Sequence, residues 1–247
     1  MKLLVCVSKT PETTTKIQLT SDGTDIDTSG VQYIMNPYDE WYALVRALEL
    51  KEAQGGSVTI LNVGPADNDP VIRKGLAIGA DDAVRIDVSK EKDSLFTARQ
   101  IAEFARGKEY DAILFGKETI SYNGSEVGAM VSEFLGLPYV GDAIALEVNG
   151  STATVTRDIE GGEEVIEVDL PIALSAAKGM AEQRIPNMRG IMMAKRKPLE
   201  VVAPTDFPDT TRVASYDKPE DKGSVKLIDA DNMDELVRLL HEEAKVI

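Results

Sequence analysis

The chain has 247 residues, of which 43% are hydrophobic, and this is typical of one globular α/β domain with appendages. Its formal net charge of −15, from 27 basic and 42 acidic residues, argues against a general nucleic-acid-binding or membrane-surface protein. One cysteine and one histidine exclude an internal disulfide, a zinc cluster and Ser–His or Cys–His catalysis within this chain. No apolar run approaches the roughly 18 residues of a membrane span, and residues 1–8 resemble a strand more than a signal peptide. We therefore expect a cytoplasmic protein without membrane insertion.

The N-terminal residues predict a buried strand followed by polar turns. Residues 2–7 are predicted as a buried strand, and Cys6 lies in its apolar run, residues 3–7, where it is expected to act as a small buried hydrophobe. Residues 9–15 are predicted as a Pro-containing turn, and the polar excursion after them as a surface hairpin or loop. Asn36 and Pro37 then precede an apolar pattern with helical spacing. They either start this helix or help to hold an adenine or ribose.

Strand and helix patterns alternate as far as residue 137. Short apolar runs predict strands, whereas apolar residues three or four positions apart predict amphipathic helices. The predicted strands are residues 57–63, 82–87 and 112–115, and the predicted helices begin near residues 37, 67, 96 and 125. This alternation is typical of a doubly wound, mostly parallel α/β sheet with right-handed crossovers.

The pattern changes after residue 137 to one typical of antiparallel strands. Asn-Gly at residues 149–150 and Gly-Gly at residues 161–162 separate alternating runs, and both are strong hairpin signals. We therefore predict an antiparallel hairpin section over residues 143–168, before residues 171–175 return to the main sheet.

Residues 111–137 combine a strand, a polar loop and a helix, the arrangement at which open α/β sheets bind ligands. The loop offers hydroxyl, amide and glycine groups at Ser121, Asn123 and Gly124. Free N–H groups at the start of the next helix would bind a phosphate, assisted by Ser125 or Asn123. In the alternative interpretation the same two residues simply cap the helix. Neither a Walker motif nor GxGxxG is present to separate the two.

Residues 181–201 are basic and rich in methionine, which is unusual in this acidic chain. Pro186 and Gly190 break any continuous helix there. One interpretation is an irregular protein-docking loop, in which apolar side chains anchor a partner and basic charges steer it. The other is a short amphipathic helix over residues 191–197 that packs its methionines inward.

The part of the chain after residue 201 is predicted as an extended arm. Residues 202–222 are rich in Pro, Asp and Thr without a helical period. Residues 224–228 have the pattern of a strand, and residues 232–245 that of an amphipathic helix. Because such an arm needs a surface to dock on, we expect a partner subunit. This divides the chain into an α/β domain, residues 1–200, and an arm, residues 201–247.

Several short motifs occur in a fixed order along the chain. They are Met-Asn-Pro at residues 35–37, Gly-Pro at 64–65, Ala-Ile-Gly-Ala-Asp at 77–81, Gly-Lys at 116–117, Val-Gly at 127–128 and Leu-Pro at 137–138. The most specific is Gly-Ile-Met-Met-Ala-Lys at residues 190–195, with Arg184 before it and Lys-Pro at residues 197–198 after it. With these motifs the sequence resembles, over essentially its whole length, the beta (small) subunit of electron transfer flavoproteins.

The resemblance implies a heterodimer with an alpha subunit that carries FAD and exchanges electrons with a client such as an acyl-CoA dehydrogenase. In most of the family the beta subunit holds a structural AMP. In the electron-bifurcating branch the same position holds a second FAD, which accepts hydride from NADH. The nucleotide-binding positions that the resemblance implies are Cys6, Asn36, Pro37, Tyr38, Asp39, Val63, Ser121, Asn123, Gly124, Ser125, Glu126, Val127 and Gly128.

The resemblance also implies that residues 184–195 form the partner-recognition loop, and that the C-terminal arm wraps the alpha subunit. Met188 falls where the family places its apolar anchor for the client dehydrogenase. No residue is expected to be catalytic, because in the AMP-binding case the subunit performs no bond chemistry. The expected partner-binding residues are Arg184, Ile185, Met188, Arg189, Ile191 and Lys195.

Two departures from the family pattern leave the ligand open between AMP, FAD and an empty site. Ser121 stands where Asp is common, and Glu126 stands where Gln is common. A carboxylate at Glu126 repels phosphate unless it faces ribose hydroxyls or a cation. Residues 9–14 (KTPETT) look more like the turn of the bifurcating branch. A rival interpretation from another class is a free-standing adenine-nucleotide sensor without a flavoprotein partner.

Overall fold

The computed structural model describes residues 1–37, 39–90, 92–220 and 223–247. The strands are β1 (Lys2–Cys6), β2 (Lys9–Pro11), β3 (Tyr33–Met35), β4 (Ser57–Gly64), β5 (Asp82–Asp87), β6 (Ala112–Gly116), β7 (Tyr139–Asn149), β8 (Thr152–Ile159), β9 (Gly162–Asp169), β10 (Ile172–Ala176) and β11 (Leu199–Val202). The helices are α1 (Asp39–Gln54), α2 (Asp69–Ile78), α3 (Ser94–Ala105), α4 (Val127–Leu135), α5 (Met188–Ala194) and α6 (Met233–Glu242).

The main sheet follows the order β11-β5-β4-β1-β6-β10-β7-β8-β9. The strands from β11 to β7 are parallel, and β8 and β9 extend the sheet as antiparallel strands. The predicted fold class is therefore confirmed, including its antiparallel hairpin section. Strand β10 returns between β6 and β7, so it separates β7, β8 and β9 from the other strands of the sheet.

Apolar side chains fill a core on each face of the sheet. In β1, Leu3 and Val5 pack with α1 and α2 on one face, while Leu4 and Cys6 pack with α3 and α4 on the other. This alternation follows from the period of two residues in a strand. Because β1 is buried on both faces, its sequence reads as a continuous apolar run.

The structure corrects two local predictions and adds one strand. Part of the predicted turn at residues 9–15 is strand β2, which pairs with β3 in a small antiparallel ribbon. Strand β11 was not predicted, and it adds to the free edge of β5. The strand predicted at residues 224–228 is wrong: this segment pairs with none of the described strands, and Val225 and Leu227 are 78% and 88% exposed.

The arm begins after β11 and reaches α6 without regular structure in residues 203–220 and 223–229. Its first part lies along its own domain, where Gln100 exchanges two hydrogen bonds with the backbone of Thr205, of 2.6 and 2.9 Å. Further along, Thr210 and Thr211 donate to the Asp93 carboxylate. Within the described ranges, the helices lack the combined length and apolar character that crossing a membrane requires.

Candidate functional site

The adjacent ends of β1 and β6 mark the point at which the sheet reverses its winding direction. The crossover after β1 leads through α1 on one face, and the crossover after β6 leads through α4 on the other. In open α/β sheets this switch point opens a crevice beyond the carboxyl ends of the strands, where ligands bind. Residues 117–126, which we call the β6–α4 loop, leave β6 at this edge.

Asn36 holds the β6–α4 loop in place. Its side chain is fully buried; Nδ2 donates to the Glu118 carbonyl at 2.8 Å, and Oδ1 accepts from the Ile120 N–H at 3.1 Å. The amide therefore supplies one hydrogen-bond donor and one acceptor to the backbone of the loop. The expectation that Asn36 starts or caps α1 is wrong, because α1 begins at Asp39 and the amide is used on the loop.

The loop is compact and presents polar groups to solvent. The Thr119 N–H donates to the Gly124 carbonyl at 3.0 Å, and the Asn123 N–H donates to the Thr119 carbonyl at 2.8 Å. Asn123 adopts a left-handed backbone with φ of 53°, which asparagine tolerates better than most residues. The side chains exposed on this loop include Ser121, Tyr122, Asn123, Ser125 and Glu126.

Helix α4 starts without a side-chain cap. Glu126 is its N-cap residue but its carboxylate accepts no capping hydrogen bond, and the predicted caps at Asn123 and Ser125 are not formed. The first N–H groups of α4 therefore keep the partial positive charge of a helix N-terminus. Gly128 allows close packing here, because a Cβ would lie 3.0 Å from the Tyr139 ring and 3.1 Å from Phe115. The edge thus fits a phosphate chemically.

Three apolar residues from the implied nucleotide set meet in one cluster. Cys6, Val63 and Val127 all pack in the core on the α3 and α4 face, at the carboxyl ends of their strands or the start of α4. Burial, followed by the charge of Glu40, raises the pKa of the Cys6 thiol well above its usual range. The thiol is thus neutral and inert, as a buried hydrophobe should be.

A buried carboxyl at Glu40 joins the end of β1 to the start of α1. Its two oxygens accept hydrogen bonds from the Ser8 N–H at 2.7 Å and the Ser8 hydroxyl at 2.6 Å. Burial raises the pKa of Glu40 to about 8, against the hydrogen bonds from Ser8, which favour the charged form. Burial also raises the pKa of Asp39, whose carboxylate accepts from the Glu118 N–H at 3.3 Å.

Gly116 at the end of β6 is required by this arrangement. A Cβ there would lie 2.8 Å from the Glu40 Cγ and 2.9 Å from the Glu40 backbone nitrogen. Among the implied nucleotide set, Pro37 lies between Asn36 and α1, and Tyr38 lies outside the described residues.

The turn from β4 to α2 is fixed by ionic contacts that the sequence analysis missed. The buried Arg85 donates to Asp69 at 2.7 Å, to the Gly64 carbonyl at 3.1 Å and also to Asp87. Lys9 forms an ion pair of 2.9 Å with Asp67 across the same edge. An arginine between the apolar residues Val84 and Ile86 of β5 is the sequence signal that would have identified this buried network.

The residues expected to bind a partner lie at α5 and just before it, beside α1 and α2. The Trp41 indole N–H donates to the Arg184 carbonyl at 3.2 Å, and the Arg184 guanidinium pairs with Glu52 at 2.6 and 3.1 Å. The side-chain hydrogen bond from Arg184 is the main reason that the pKa of Glu52 is lowered. The Asn187 side chain caps α5 by accepting from the Gly190 N–H at 2.8 Å.

Helix α5 exposes its apolar side chains. Met188 is 73% exposed and Ile185 is 81% exposed, while Ile191, Met192 and Met193 are also on the surface. Arg189 and Lys195 are exposed beside them. The helix starts three residues earlier than the alternative prediction of residues 191–197, and the prediction that it packs its methionines inward is wrong.

In the described ranges, no group of three or more His, Cys, Asp and Glu side chains is arranged to hold a metal ion. The fold and the site instead define a doubly wound α/β protein, with an exposed polar loop at the switch point of its sheet and a separate exposed apolar surface at α5.

Comparison with known proteins identifies the family. Residues 24–207 match the model of the electron transfer flavoprotein domain. The electron transfer flavoprotein subunit beta of Bacillus subtilis (strain 168) is 34% identical over 261 aligned positions that cover all of both chains. The subunit beta of Syntrophomonas wolfei is 35% identical, with 91% of this chain and 88% of the relative covered. The human subunit beta is 31% identical over 100% and 99% of the two chains.

The chain belongs to the electron transfer flavoprotein family and is similar over its full length to the beta subunits of that family. Its role therefore lies in electron transport by a flavoprotein.

Proposed function

We propose that this chain binds AMP at the β1–β6 edge and pairs with an FAD-carrying alpha subunit. The heterodimer would pass electrons between an acyl-CoA dehydrogenase-type client and another redox acceptor. The proposal of a nucleotide site rests on the uncapped start of α4, which follows an exposed polar loop that Asn36 fixes in place. Free N–H groups at this position suit the AMP phosphate.

Within this site, the chain's own residues would bind and orient the nucleotide. The N–H groups of Val127 and Gly128 would receive the phosphate, with Ser121, Asn123 and Ser125 as further polar contacts. Cys6 and Val63 would contact the apolar part of the ligand from the end of the sheet. Glu126, exposed at the N-cap, is best suited to ribose hydroxyls, since a carboxylate repels phosphate.

The nucleotide is identified by its stoichiometry in the purified complex. The chain would be co-expressed with its alpha subunit, the complex denatured, and the released FAD and AMP quantified per heterodimer. We expect one FAD and one AMP. Two FAD without AMP would replace the proposal by a bifurcating complex in which the flavin of this subunit accepts hydride. One FAD with neither AMP nor a second FAD would contradict nucleotide binding at this edge.

The partner surfaces follow from the exposed apolar residues. Residues 184–195 would dock the client dehydrogenase, with Met188 as the anchor and with Arg189 and Lys195 as steering charges. The C-terminal part of the arm would dock on the alpha subunit, where α6 would bury its exposed Met233 and Val237. We also propose that the protein is located in the cytoplasm.

Failure of the chain to co-purify with a flavoprotein partner would favour the rival function, a free-standing nucleotide sensor.

Replacing Met188 by alanine should weaken docking without changing the fold. A buried apolar anchor often dominates an interface, so we expect KM for the reduced acyl-CoA dehydrogenase to rise about tenfold with kcat nearly unchanged. The measurement is flavin reduction in the heterodimer as a function of dehydrogenase concentration. Val165→Ala, which truncates an exposed apolar residue on β9, is the matched control. An unchanged KM for Met188→Ala would count against client docking at α5.

A further inference from the structure

Helix α5 is too short and too exposed to hold its own position by apolar burial. It has seven residues, and among them only Ala194 is buried. An isolated helix of this length is unstable in water, because few hydrogen bonds offset the cost of its first turn. Contacts with the rest of the chain must therefore fix the orientation of Met188 and its neighbours.

Those contacts come from α2 and are mainly polar. The Arg73 Nη1 atom donates to the Ala194 carbonyl at 2.8 Å and to the Lys197 carbonyl at 2.6 Å. In return, the Lys197 ammonium donates to the Leu76 carbonyl at 3.0 Å and to the Ala80 carbonyl. Arg73 thus satisfies carbonyl groups at the C-terminal end of α5, and Lys197 satisfies carbonyl groups at the C-terminal end of α2. A positive charge is favourable at both places.

The backbones of α5 and α2 also approach closely. A Cβ on Gly190 would lie 2.4 Å from the Ala77 carbonyl oxygen, a distance that a real side chain cannot adopt. Gly190 therefore lets α5 lie directly against the end of α2, and the hydrogen bonds of Arg73 and Lys197 join the same two segments.

We propose that Arg73 is a positioning residue for client docking: it fixes the orientation of α5, and with it the apolar surface that contains Met188. This inference rests on the docking function proposed above. Arg73 itself need not touch the client. Its effect reaches the interface through the carbonyl groups of Ala194 and Lys197, so a client meets α5 already ordered and loses less entropy on binding.

The first test is hydrogen–deuterium exchange in the purified heterodimer, which requires no client. Arg73→Met keeps the apolar stem but removes the guanidinium and both of its hydrogen bonds. In this variant we expect exchange in residues 188–197 to accelerate about tenfold. Arg73→Lys, which retains a charged donor, should restore part of the protection. Arg106→Met is the matched control, because Arg106 makes a similar contact of 3.1 Å with the Phe134 carbonyl on the opposite face of the sheet.

The second test separates positioning from general stability. We expect Arg73→Met to raise KM for the reduced acyl-CoA dehydrogenase about tenfold with unchanged kcat and nucleotide content, and Lys197→Met to do the same. Unchanged exchange, faster exchange with an unchanged KM, or an equal effect in Arg106→Met would each overturn the inference. If Met188→Ala also leaves KM unchanged, the docking function itself fails; if Met188→Ala alone raises KM, only the role of Arg73 fails.

Discussion

Replacing Asn36 by alanine should release the β6–α4 loop and weaken the proposed binding of AMP about tenfold, because only the fraction of molecules with an ordered loop would bind. The substitution removes both side-chain contacts to the loop and leaves the Glu118 carbonyl and the Ile120 N–H without them. Losing these buried hydrogen bonds should also lower the free energy of unfolding by about 3 kcal/mol. The measurements are AMP content after denaturation and AMP affinity by calorimetry on the reconstituted complex.

The chain provides a closely matched control in Gln100. This buried amide also donates to one backbone carbonyl and accepts from one backbone N–H, both of Thr205 in the arm. Gln100→Ala should therefore cost a similar free energy while leaving AMP binding intact. Equal losses of AMP in the two variants would mean that the effect of Asn36 is only general destabilisation.

The elements of the fold were predictable because their signals are local. The apolar run of β1 and the helical spacing of α3 each lie within about a dozen residues, and the structure places both near their predicted bounds. The order of the strands carries no comparable signal. Strand β10 enters between β6 and β7 by pairing with residues far away in sequence, as in most parallel sheets.

The incorrect predictions have the same cause. Residues 224–228 have a strand pattern but pair with no strand in the part of the chain that the structure describes. Strand β11 follows a basic segment and forms because β5 offers its outer edge for pairing. A strand is stabilised by its neighbour as much as by its own sequence. Likewise, one of the two interpretations of residues 181–201 placed the methionines of α5 in the core, but polar contacts from Arg73 and Lys197 hold the helix with those side chains exposed.

The candidate site was predicted less completely than the fold. A polar loop at the end of a central strand points to a ligand edge from sequence alone. The contact that shapes this loop, from Asn36, spans 82 and 84 residues of sequence and has no local pattern. The same holds for the contact of Ser8 with Glu40, which joins two segments 32 residues apart.

Glu40 gives the second large effect, a stability that falls as the pH rises. Its pKa is raised by burial to about 8, from an ordinary value of 4.5, and the neighbouring Asp39 charge adds to the increase. Cys6 also faces Glu40, and its own raised pKa keeps it neutral across this range. The Ser8 hydroxyl can either donate to the charged carboxylate or accept from the protonated acid, so both forms of Glu40 are accommodated.

The direction of the effect follows from proton binding. Between pH 4.5 and about 8, the folded chain keeps a proton on Glu40 that the unfolded chain has released. The contribution of Glu40 to stability is therefore greatest below the unfolded pKa and declines through this window by up to about 1.4 kcal/mol per pH unit. Asp93, whose pKa is lowered to about 2, acts in the opposite direction but only at lower pH.

Glu40→Gln isolates this contribution, because an amide mimics the protonated acid: its oxygen accepts from the Ser8 N–H and its NH2 group donates to the Ser8 hydroxyl. We expect the variant and the parent complex to unfold at similar temperatures at pH 5, and the variant to be the more stable of the two at pH 8. The measurement is the difference in Tm between the two heterodimers at several pH values in this range, which cancels the titration of all other groups. A difference that stays constant from pH 5 to 8 would show that Glu40 is already charged at pH 5, with its carboxylate stabilised by Ser8 more strongly than burial opposes it.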